Sequence, residues 1–91
     1  MSNDNSIRKL EEQLEAIFST LNEIETEIKS LDTEMRRLHQ DIVAKNNFYQ
    51  LQLNWEECKW NKWISVHRRE KKLQEAEKLS SDLEKLQNEI H

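Results

Sequence analysis

Ninety-one residues are at most one small domain, and none of them is glycine or proline. A chain of this length normally carries about eleven of the two together; sheets, tight turns and phosphate-cradling loops depend on them, so dinucleotide folds, phosphate loops, nucleophile elbows and most β-folds are excluded. Charged and apolar residues each make 35% of the chain and the formal net charge is −4, a composition that buries a stripe rather than a globular core.

Leu, Ile, Val and Phe still make 22 of the 91 residues, above the level at which disorder is the default. The expected fold is all-α, a coiled coil of two long helices joined by a hinge or hairpin turn near 44–47. The expected organisation is a polar tail over 1–5, a heptad arm over 6–43, a hinge at 44–47 and a second arm over 48–91. That second arm has an aromatic and basic middle followed by C-terminal heptads.

The first arm carries the clearest pattern. Ile7, Leu10, Leu14, Ile17, Leu21, Ile24, Ile28, Leu31, Met35, Leu38 and Ile42 follow one another at alternating steps of three and four. Only Ala16 and Phe18 are apolar and off this line between Ile7 and Ile42. Such a period keeps one seam facing a partner helix. Its flanks are acidic: Glu11, Glu25 and Asp32 on one side, Glu27, Glu34 and Asp41 on the other, with no Lys or Arg among the flanking positions. A parallel homodimer would set Glu27 against Asp32 of its mate, and like charges at a seam oppose pairing. The arm therefore calls for a basic partner, either another protein or a later part of the same chain.

After Ile42 this register fails at Lys45, Asn46 and Asn47. Asparagine tolerates backbone that ends or bends a helix. A second seam, displaced by one residue, then runs through Phe48, Leu51, Trp55, Ala76, Leu79, Leu83, Leu86 and Ile90, with Cys58, Lys62, Ser65, Arg69 and Lys72 at its intervening positions. The string Ser81-Asp82-Leu83-Glu84 imitates a helix cap but sits inside good helical pattern. Folding the second arm back antiparallel brings its basic middle to the acidic flanks of the first: Asp32 near Lys62, Glu34 near Lys59, Glu25 near Arg68. A bent rod with both arms held by other chains is the alternative, since the connection lacks the glycine that tight helix–helix turns favour.

The middle of the second arm is apolar on two sides. Beside the seam it carries Tyr49, Leu53, Trp60 and Ile64, with Trp63 between the two faces. A two-helix hairpin covers one side only, so these five residues are the candidate docking face, with Trp60 and Trp63 as anchors. Lys59, Lys62, Arg68, Arg69, Lys71 and Lys72 form a candidate basic patch against the single acid Glu70. It reads as a solvated face or the internal complement of the first arm, then as a surface for an acidic protein, and last as a site for nucleic acid or lipid headgroups. Asn61 and Arg69 have the spacing found in basic-zipper DNA-binding regions, but Trp63, Ile64 and Val66 stand where that family keeps small residues in the groove.

No zinc-ligand spacing occurs among His39, His67, His91 and Cys58. Two helices do not enclose a catalytic pocket, so no enzyme activity, cofactor or small-molecule substrate is expected. A lone cysteine, Cys58, and the absence of a signal-like or membrane-spanning segment point to an intracellular protein of cytoplasm or nucleus, not a secreted one. The expected function is a non-catalytic protein–protein interaction subunit: a structural, scaffold or adaptor component of a larger helical assembly of the cytoskeletal, kinetochore, meiotic or tethering kind. Other coiled-coil proteins in a hetero-oligomer are the expected partners. A self-assembling homo-oligomeric spacer is the alternative, ahead of a basic-zipper-like nucleic-acid binder acting through 59–72.

Overall fold

The computed structural model describes residues 2–45 and 49–90. It contains two long helices, α1 (Ser2–Ala44) and α2 (Tyr49–Ile90), which is the all-helical class the sequence predicts. Helix is the natural state here because Leu, Glu, Lys and Gln dominate and no residue is a strong breaker. Side chains one turn apart reinforce it. Arg37 holds both Glu34 and Asp41, Lys72 reaches Glu75 at 3.1 Å, and Arg8 donates to Asn5 at 3.5 Å. Each such pair is worth a few tenths of a kcal/mol, roughly 0.2–0.5. The hydroxyls of Thr20 and Thr33 donate back to the carbonyls of Ala16 and Lys29.

Helix α1 starts at Ser2, so it takes in the polar residues 2–5. They add no apolar residue to the seam; extending an existing helix costs far less than nucleating one. At the other end Ala44, assigned to the hinge by sequence, closes α1. Lys45 follows it outside either helix; the hinge positions Asn46 and Asn47, and the first residue of the second seam, Phe48, lie outside the described residues, as does the side chain of Ile90. Helix α2 runs unbroken through Ser81-Asp82-Leu83-Glu84.

The chain divides into two compact units. One runs from Ile24 to Arg68; the other joins the residues up to Glu23 with those from Arg69 onward. In the first, the end of α1 packs antiparallel on the start of α2. Ile24, Ile28 and Leu38 are buried on the α1 side and Cys58 and Ser65 on the α2 side. Leu31, Met35, Ile42, Leu51 and Trp55 are half-buried beside them. Ile24, at 1% exposure, is the most completely enclosed large side chain among the described residues. Burial of such a side chain contributes about 1.5–3 kcal/mol.

Three polar links fix the antiparallel register of this unit. The Cys58 thiol donates to the Leu31 carbonyl at 3.4 Å, the Lys62 ammonium meets the Asp32 carboxylate at 2.6 Å, and Arg68 meets Glu27 at 3.3 Å. Asp32 and Glu27 thus find basic partners on α2, whereas Glu34, expected beside Lys59, is held by Arg37 of its own helix and Lys59 lies over Trp55. The sequence placed Arg68 beside Glu25, and the structure corrects this to Glu27. Glu25 and Glu27 lie on opposite flanks of the α1 seam, and an antiparallel neighbour brings Arg68 to the Glu27 side.

In the second unit, Leu14, Leu21 and Ala76 are buried. Ile7, Leu10, Ile17, Leu79, Leu83 and Leu86 are half-buried around them. Leu10 and Leu86 share one surface groove, Ile17 and Leu79 another. The stripe on each helix meets that of its neighbour, so this unit too is held by one apolar layer between two helices.

Candidate docking face on α2

Turning one face of α2 towards α1 leaves its other apolar face in water. Along that outer side, Tyr49, Leu53, Trp60 and Trp63 recur at helical spacing, with Glu56 between Leu53 and Trp60 and His67 one turn beyond Trp63. Tyr49 is 70% exposed, Trp60 59% and Trp63 52%; Leu53 and Ile64 are exposed as well. Aromatic side chains of this size bury about 150–250 Å² each when covered, so these three rings leave on the order of 350 Å² in contact with water.

The rings are ordered among themselves. Trp60 and Trp63 stack with centroids 5.0 Å apart and planes 11° from parallel, and His67 sits at 3.9 Å from Trp63, tilted by 60°. Stacking one turn apart on the helix holds the two indoles against each other at little further entropic cost. Trp55 belongs instead to the half-buried seam, with the Lys59 ammonium 5.2 Å from its ring centroid, a distance within the range of cation–π attraction.

Near the turn the outer face continues into a groove of about 550 Å³ between α1 and α2, walled by Ile42, Tyr49, Leu53 and Trp55, with Glu56, Gln52 and His39 as its polar members. This feature exists only once both helices are side by side, so nothing in the spacing of either helix announces it. Phe18, Val43 and Leu73 are further exposed apolar residues outside the docking set.

Three of the six basic residues have an acidic partner in this chain. Lys62 and Arg68 are engaged with α1, and Lys72 pairs with Glu75 along α2. Arg69 is half-buried at the seam, Lys59 lies over Trp55, and Lys71 is exposed. Long charged side chains at seam positions lay their methylene stems on the apolar layer and keep their heads wet, which is how Lys62, Arg69 and Lys72 occupy places that a leucine would fill elsewhere.

Cys58 is buried, and burial is the main cause that pushes its thiol above the ordinary range, with the Glu34 and Asp32 carboxylates adding to it. A protonated, hydrogen-bonded thiol packs as a small apolar group. Among the described residues no three His, Cys, Asp or Glu side chains gather to hold a metal ion, and no helix is long and apolar enough to cross a membrane. Comparison with protein-family models, characterised proteins and solved structures finds no match to this chain.

Proposed function

We propose that this chain is a non-catalytic interaction subunit, a two-helix element that offers the outer face of α2 to a helix of another protein. The observation that carries this reading is the division of labour on α2. Its inner seam is spent on α1, and Trp60, Trp63 and Tyr49 are still in water. Tryptophan and tyrosine are the residues most enriched among binding hot spots. In the cell the chain serves as a structural or adaptor component of a helical assembly of the cytoskeletal, kinetochore, meiotic or tethering kind, within cytoplasm or nucleus.

Self-assembly into a homo-oligomeric spacer is the competing reading, and the half-buried state of Leu10, Ile17, Leu79 and Leu83 favours it. Sedimentation of the purified chain at micromolar concentration separates the two. The hetero-partner reading expects a monomer or a weak, concentration-dependent associate; a stable homo-oligomer at physiological salt overturns it.

A further inference from the structure

Resting on the docking reading above, we propose that the groove of Ile42, Tyr49, Leu53, Trp55 and Glu56 receives a lysine or arginine from an amphipathic helix of another protein, whose apolar seam lies along Trp60 and Trp63. The charge pattern of the outer face decides the occupant. Glu56 stands inside the apolar line, between Leu53 and Trp60, at a position where the covering helix presents its own seam. Once covered, its carboxylate loses water, and a desolvated carboxylate without a cation is strongly unfavourable. A wholly apolar seam is therefore a poor occupant.

The groove supplies what a basic side chain needs. Its aromatic and aliphatic walls accept the methylene stem, and Glu56 accepts the charged head. Lys59 is already occupied over Trp55, and His39 faces the groove from α1.

A second copy is disfavoured by the same charges. Parallel pairing of the outer faces sets Glu56 against Glu56. Antiparallel pairing that covers the whole stripe centres near residue 58. It brings Lys59 to Lys59 on one edge and Glu57 to Glu57 on the other. Polar residues within an apolar seam specify partners in this way, by opposing the wrong one.

The test uses the full chain and two synthetic three-heptad helices with leucine seams, one carrying a central lysine and one a central glutamate. Titration is followed by acrylamide shielding of the indoles. The lysine helix is expected to shield Trp60 and Trp63 and to bind about tenfold more tightly than the glutamate helix. In the exposed-site variant Glu56→Lys the preference reverses. Equal affinity of both helices, or no reversal, overturns the inference while leaving docking at the stripe intact. Failure of both helices to shield the indoles overturns the docking reading as well. A wild-type dimer in sedimentation that is lost in Trp60→Ala with Trp63→Ala assigns the face to a second copy and overturns the proposal.

Discussion

Replacing Ile24 by alanine probes the layer between the helices at its most enclosed point. Ile24 is 1% exposed, so nearly all of its side chain is withdrawn from water. Truncating a buried isoleucine to alanine costs about 2–5 kcal/mol. The lower half of that range applies here, because a layer only two helices thick lets solvent and neighbours fill the gap. Alanine also returns about 0.4 kcal/mol of helix propensity. The net expectation is about 2–3 kcal/mol, a fall in thermal midpoint of roughly 10–20 °C for a chain of this size. Circular dichroism melting, with urea unfolding as a second measure, reads the change. Phe18→Ala is the control: Phe18 lies on the same helix, is 51% exposed, and should change stability by no more than about 0.5 kcal/mol. Equal effects at the two positions, or a loss below about 1 kcal/mol at Ile24, would refute the claim that the seam between α1 and α2 holds the fold.

Three further outcomes follow from particular contacts. A double-mutant cycle on Asp32→Ala and Lys62→Ala should give a coupling of about 0.2–1 kcal/mol that fades in high salt, since both partners are more than a third exposed; a coupling that survives high salt contradicts the assignment. Because burial raises the Cys58 thiol, the folded state favours its protonated form, and that contribution is complete below the thiol's unfolded pKa and is lost as pH climbs through the folded one. The stability margin of the native chain over Cys58→Ala should therefore shrink as pH rises above the ordinary thiol range, about 8.5; a margin that grows there would contradict the burial. With Lys62 and Arg68 occupied by α1, the chain should not bind random duplex DNA at physiological salt, and binding that is lost in Lys71→Ala with Lys72→Ala would restore the nucleic-acid reading.

The helical class was legible from the unbroken three–four spacing of the first arm and from the missing glycine and proline. The pairing of the arms was legible at Asp32 and Lys62, where opposite charges face each other across a short return. It was not legible at Arg68, because spacing along one helix does not say which flank a neighbour will approach, and Glu25 and Glu27 are equally near in sequence. The polar residues 2–5 carry no seam position, and a helix can outrun its seam by a turn. The second seam was the harder one to read, since Lys62, Ser65, Arg69 and Lys72 occupy its middle while Trp60, Trp63 and Ile64 lie elsewhere on the same turns. The groove beside Glu56 was beyond reach of either pattern, because α1 and α2 each supply part of its wall.

The proposed role stands most directly on what Trp60 and Trp63 do. The paired substitution Trp60→Ala and Trp63→Ala should leave helix content unchanged and the melting midpoint within a few degrees of the native chain, while abolishing capture of helical partners from the cells that make the protein. A collapse of helicity in that variant would show the two indoles to be part of the packed layer, and undiminished capture would show that the partner binds elsewhere.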